Sequence, residues 1–162
     1  MRLVSYERNG VWRPGILLEA KVVDVDAAAR LAGLDGDVPA GADWSSRAVI
    51  QSSPQTREAL LTAATELIAG AEAVTEIRLG PPIPDPDKIL CMGLNYRDHA
   101  DEAQLPLPIV PLFFAKFRNS LIGPEDEIVL PPTSEQIDYE AELAVVIGKR
   151  CRRVAPEDAL AY

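Results

Sequence analysis

The chain has 162 residues, 48% of them apolar, with 25 Asp and Glu against 16 Lys and Arg for a net charge of −9. That apolar share supports a packed core, while no apolar run approaches the roughly 20 residues of a membrane span and the first residues do not read as an export signal. The acidic balance argues against nucleic acid, whose phosphates need a basic footprint, and suits recruitment of cations. Cys91 and Cys151 are far apart and form no ligand motif, so reduced thiols in a cytoplasmic setting are the expectation.

The first eighteen residues read as a hairpin. Leu3–Glu7 and Val11–Arg13 flank Asn9-Gly10, a pair suited to the positive φ of a type I′ turn. Ile16–Ala20 and Lys21–Asp24 extend the strand pattern. Asp26 is the expected N-cap of a short helix through Ala27–Leu31 that stops at Gly33. Residues 33–45 are loop. A second helix is expected from Pro54 to Ala69, with Ser53 as its cap and Pro54 in its first turn. Its Leu60, Leu61, Ala64, Leu67 and Ile68 share one face, which reads as core.

Composition changes at Gly80-Pro81-Pro82-Ile83-Pro84-Asp85-Pro86, too proline-rich for a helix or a full ladder, and therefore an extended linker. A small N-terminal α+β domain is expected over 1–75 and a second domain over 76–162. In the second, Lys88–Leu94 reads as a buried strand, Asn95 to about Ala103 as a short helix, and Leu112–Phe117 and Glu127–Leu130 as further strands. Pro156–Tyr162 reads as the opening turns of a helix.

The segment Asp138-Tyr139-Glu140-Ala141-Glu142-Leu143-Ala144-Val145-Val146-Ile147-Gly148 carries the most chemical information. As a strand it places Glu140 and Glu142 on one face, with Cα atoms roughly 6.5–7 Å apart at about 3.3 Å rise per residue. Ala144 and Val146 continue that face. Two carboxylates entering an apolar setting need a cation or a proton between them, and oxygen donors favour Mg²⁺ or Mn²⁺. A solvated acidic edge is the plainer alternative.

His99, the only histidine, lies one helical turn before Glu102, so the two can meet. A carboxylate beside an imidazole fixes its tautomer and equips it to move a proton near neutral pH. Asp98 and Asp101 compete for the same ring. Lys116 interrupts the run Phe113-Phe114-Ala115-Lys116-Phe117. There it either meets a counter-charge, such as a substrate carboxylate, or points outward. Arg118, Asn119 and Ser120 follow as donors for an anionic ligand.

Together, Gly93–Glu102, Pro111–Phe117, Gly123-Pro124 with Ile128–Pro131, and Asp138–Lys149 resemble the fumarylacetoacetate hydrolase superfamily. The resemblance covers residues 86–162 in motif order, and residues 1–75 by position. It implies an α+β, mostly β fold, in which a mixed β-roll follows a small N-terminal domain, and a homodimer for the complete protein. It also implies Mg²⁺ or Mn²⁺ on Glu140, Glu142 and an aspartate further along. His99 and Glu102 become a catalytic dyad, and Lys116, Tyr96, Arg97 and Ser120 become substrate-binding residues.

The implied substrate is a small 2-oxo or diketo acid, cleaved by a hydrolase or lyase. Isomerisation and oxaloacetate-type decarboxylation are the alternatives on the same scaffold. Neither nucleic acid nor membrane is an expected partner. The third metal carboxylate and most of the β-roll are expected beyond Tyr162, so the sequence reads as the N-terminal half of a family member with little activity alone. A non-catalytic half-protein that joins a partner through its unfinished sheet is the reading from another class.

Overall fold

A computed structural model of the protein describes residues 1–38, 43–70 and 73–162. The architecture is α+β, with two sheets and few helices. Strands β1 (Leu3–Arg8) and β2 (Val11–Leu18) pair antiparallel from Leu3↔Ile16 to Arg8↔Val11. Asn9 and Gly10 take φ of 54° and 77°, the twist that lets a two-residue turn close right-twisted strands. Strand β3 (Lys21–Asp24) returns along β2, and β4 (Ala73–Val74) pairs with β3. Beyond the opposite edge, Glu7 N–H donates to Arg78 O at 2.9 Å and Gly80 N–H to Ser5 O at 3.0 Å, so residues 78–80 run beside β1.

Helix α1 (Val25–Leu31) is capped by Asp24 and not by Asp26, since the Asp24 carboxylate accepts from the amides of Asp26 and Ala27. The strand ends at Asp24 as its pattern suggests, and the helix follows it directly at Val25, which makes Asp24 the cap. Gly33, at φ 70°, follows the helix. Residues 39–42 of the expected 33–45 loop lie outside the described residues. A helix not foreseen, α2 (Ser46–Gln51), is capped by Ser45. Helix α3 (Pro54–Leu67) starts as expected, with Ser53 accepting from Thr56 N–H at 3.0 Å. Its Leu60 and Ala64 are fully buried, and Leu61, Leu67 and Ile68 pack around them. Ile16, Val23, Val25 and Val49 close the core from the sheet and the shorter helices.

The second half is more open. Strands β5 (Ile89–Gly93) and β6 (Leu112–Lys116) form an antiparallel ribbon from Ile89↔Lys116 to Gly93↔Leu112. The expectation of a buried strand at 88–94 is corrected, because Leu90 is 61% exposed and no second layer covers the ribbon among the described residues. Helix α4 (Arg97–Glu102) follows β5. Residues 127–130 and 138–148 form no ladder, contrary to expectation. A strand exists only against a neighbour, and the described residues supply none for either segment. Residues Pro156–Ala161 make a 3-10 helix where the opening turns of a helix were expected.

Candidate functional site

The candidate site is organised around the turn from β5 into α4. After Gly93 the chain reverses through Leu94, which holds φ of 51°, a left-handed conformation that costs a branched residue roughly 1–2 kcal/mol. This turn sends Asn95 and Tyr96 off the end of the ribbon and starts α4 at Arg97. The helix is short because Gln104, at φ 54°, breaks it: Ala103 N–H donates to His99 O at 3.0 Å and Leu105 N–H to Ala100 O at 2.9 Å. Ala100 is the buried anchor of the helix, while His99 and Glu102 stand exposed one turn apart.

Two hydrogen bonds bring the acidic segment to this turn. Leu143 N–H donates to the Tyr96 hydroxyl oxygen at 3.2 Å. With its amide nitrogen placed to satisfy both groups, Asn95 donates to Met92 O and to Glu142 Oε1, each at 3.2 Å. The tie between Asn95 and Glu142 was not foreseen from the sequence, which marked Asn95 only as a helix start. The one sequence signal was the asparagine itself, a turn-forming residue placed between a strand and a short helix.

Apart from that tie, the carboxylates of this segment are open to water. Asp138, Glu140 and Glu142 are all exposed, so the expected apolar setting around the pair is corrected: with no strand beside residues 138–148, nothing among the described residues shields them. Carboxylate oxygens remain the donors that Mg²⁺ or Mn²⁺ takes. Among the described residues no group of three His, Cys, Asp or Glu side chains gathers at one point. The donor chemistry of Glu140 and Glu142 therefore fits a hard divalent ion, and these residues supply part of its shell.

Lys116 is exposed at the far end of the ribbon. It pairs with Ile89, whereas the turn into α4 leaves from Gly93, a separation of roughly 13 Å along the strand. No counter-charge meets the Lys116 ammonium among the described residues. Arg118–Ser120 form one 3-10 turn in which the Ser120 hydroxyl donates to Phe117 O at 2.7 Å. The structure thus ties Tyr96, Asn95, Glu142 and α4 together, and among the described residues neither Lys116 nor Ser120 is hydrogen-bonded to them. A groove of about 920 Å³ opens elsewhere, between Arg47, Ile50, Leu90, Phe113 and residues 145–151; Glu140, Glu142 and His99 are not among its lining residues.

The family model described as fumarylacetoacetate (FAA) hydrolase C-terminal matches residues 88–162. A Sphingomonas sp. (strain SKA58) protein described as 2,4-didehydro-3-deoxy-L-rhamnonate hydrolase is 38% identical over 161 residues, covering 99% of this chain and 49% of its own length. Rat oxaloacetate tautomerase Fahd2a, mitochondrial, is 33% identical over 168 residues, covering 100% and 50%. Its human counterpart FAHD2A is 44% identical over 108 residues, covering 65% and 34%. A solved Mycobacterium smegmatis structure, described as HpcE, aligns over 82% of this chain and 41% of its own, with a TM-score of 0.53 and 26% identity. The chain thus spans about half the length, or less, of the relatives it matches.

Proposed function

The chain belongs to the fumarylacetoacetate hydrolase superfamily, and from that premise we propose that it carries the proton-transfer and metal-binding residues of an enzyme acting on small 2-oxo acids. An enolate of the 2-oxo acid is what tautomerisation and C–C hydrolysis share, and the names of the relatives divide between those two outcomes. In the first it forms by loss of a C–H proton; in the second, water adds to the distal ketone, the C–C bond breaks, and the departing enolate takes a proton. His99 moves the carbon-bound proton in the one case and takes the proton of the attacking water in the other, and Glu102, one turn along α4, orients the ring. Glu140 and Glu142 would hold Mg²⁺ or Mn²⁺, which when bound supplies a Lewis acid for the 2-oxo carboxylate. Arg97 and Tyr96 face the acid at the helix entrance, and Lys116 and Ser120, which are not tied to that turn in this structure, are assigned to its anionic end when the complementing half is present.

The observation that carries this reading is the tie of Glu142 to Asn95 and of Leu143 to Tyr96, which joins the acidic segment to the start of the His99 helix. Hydrolysis or lyase chemistry leads, with keto–enol isomerisation and decarboxylation as alternatives. The family's β-roll, with units over 1–75 and 76–162, a homodimeric assembly and a cytoplasmic setting all belong to the same proposal.

The test is proton NMR of oxaloacetate and of an acylpyruvate with Mn²⁺. The chain is used alone and with a polypeptide equivalent to the second half of its relatives. Exchange at C3 reports isomerisation and cleavage products report hydrolysis. Turnover is expected with the complement, weakly or not at all without it, and reduced at least about 100-fold by His99→Asn. Turnover that ignores both His99→Asn and Glu102→Gln would refute the assignment, as would none in either form.

A further inference from the structure

The run from Lys116 to Ser120 is exposed throughout, yet it is held at both ends. Upstream it leaves the β5–β6 ladder at Lys116. Downstream it enters a turn, Gly123 to Asp126, whose Asp126 Oδ2 accepts from Gly123 N–H at 2.7 Å. The other oxygen of Asp126 accepts from an Arg78 amino group at 2.8 Å. A second Arg78 nitrogen donates to Glu7 Oε2 of β1 at 2.7 Å, and the guanidinium stands 5.3 Å from the centre of the Trp12 ring of β2. One side chain thus grips the N-terminal sheet and the end of the substrate-side run together.

The backbone contact beneath Arg78 is tight, and the packing beside it is not. Gly123 is buried so close to residue 79 that a Cβ there would stand 2.3 Å from Leu79 O, a position no other residue type can take without moving backbone. Beside this contact lies an apolar cavity of about 270 Å³, bounded by Val4, Leu79, Pro82, Ile122 and Pro124. Side-chain packing leaves the junction partly open, so the polar grip and the glycine contact fix its geometry. Arg78 beside Asp126 also holds that carboxyl below its usual value, which keeps the acceptor ionised.

We propose that Arg78 is a positioning residue for substrate: through Asp126 and the Gly123 turn it sets where Lys116, Arg118 and Ser120 stand relative to the N-terminal sheet. The proposal rests on the 2-oxo acid reading for its substrate, and on geometry alone for the grip. It gives the N-terminal sheet a part in recognition. The guanidinium reaches the two carboxylates through separate nitrogens held in a fixed plane, a span that a single ammonium nitrogen does not reproduce, so Arg78→Lys should restore only part of the effect.

Two measurements on the whole chain test it. Amide hydrogen exchange reads the bonds of the 3-10 turn, Ser120 N–H to Phe117 O and Leu121 N–H to Arg118 O. Arg78 is 55% exposed, so Arg78→Ala should fold, and Asp126→Asn serves as a second variant. Both should speed exchange at Ser120 and Leu121 by about tenfold while the β2–β3 ladder is unchanged, and the double variant should do no more than either alone. In the complemented protein Arg78→Ala should raise KM for the 2-oxo acid about fivefold and leave kcat within about twofold, the pattern of lost binding rather than lost chemistry.

Unchanged exchange at Ser120 and Leu121 overturns the proposal. So does a fall in kcat with KM constant. If the wild-type protein turns over no 2-oxo acid, the functional reading fails, and the exchange result still decides whether Arg78 holds the run.

Discussion

Arg13, Asp24, Asp26 and Tyr6 show how single residues hold the N-terminal unit. Tyr6 and Arg13 face each other across β1 and β2, and Asp24 ends β3. The Tyr6 hydroxyl donates to Asp24 Oδ2 at 2.5 Å, Arg13 Nε donates to the same oxygen at 3.0 Å, and another Arg13 nitrogen reaches Asp26. Burial pushes the Asp24 carboxyl up, but bonds from Arg13 and Tyr6 outweigh it and hold the group below its usual value. Asp26 is raised, by its burial first and by neighbouring Asp24 after that, against the bond from Trp44 N–H. The contribution of Asp24 is therefore in place above its usual pKa and is lost as pH falls through the lowered one. Ionised Asp26 weighs against the fold above its own usual pKa, the opposite sign. Burial and the bond to Asp24 push the Tyr6 phenol from 10.0 to about 12, so its contribution is complete below 10 and is lost as pH rises through 12. Thermal melts should show a drop in midpoint across that alkaline window that Tyr6→Phe removes. A window unchanged in Tyr6→Phe would contradict the assignment.

At the scale of elements, legibility followed locality. The Asn9-Gly10 hairpin and the Ser53-capped helix were legible because turn chemistry, capping and apolar spacing are written within a few residues. The cap lies at Asp24, two positions before the expected Asp26: either aspartate is a competent cap by residue type, and the residue at which the helix begins, Val25, decides between them. Helix α2 was missed because its six residues are too short for periodicity to register. The strands at 127–130 and 138–148 were legible as pattern and are absent as ladders, because a strand is a relation between two segments. Helical spacing places His99 and Glu102 one turn apart on α4, whereas the tie from Asn95 to Glu142 depends on contacts some 47 residues apart in sequence. Amides of residues 141–147 should exchange within seconds in the isolated chain, apart from Leu143, and become protected when the complementing polypeptide is added. Protection in the isolated chain, or none in the complex, would contradict the reading of this segment as a strand awaiting its partner.

For the whole molecule, the contrast between the halves carries the argument. The first half closes a core around Ile16, Val23, Val49 and Leu60. The second exposes large apolar side chains, with Val129 89% and Leu143 82% accessible, and leaves ribbon edges free among the described residues. Surface of that kind associates unless it is covered. Among the described residues no helix is long and apolar enough to cross a membrane. The chain spans about half the length of the relatives that align with nearly all of it, and their remaining half is the polypeptide to test as cover for this surface.

The most direct measurement of the central claim is a calorimetric titration of Mn²⁺ into the chain, alone and with that remaining half supplied. Wild-type chain should bind one ion weakly and the complemented form should bind it tightly, and the Glu140→Gln, Glu142→Gln double variant should abolish both. Binding that survives the double variant, or no binding in the complemented form, would contradict the account.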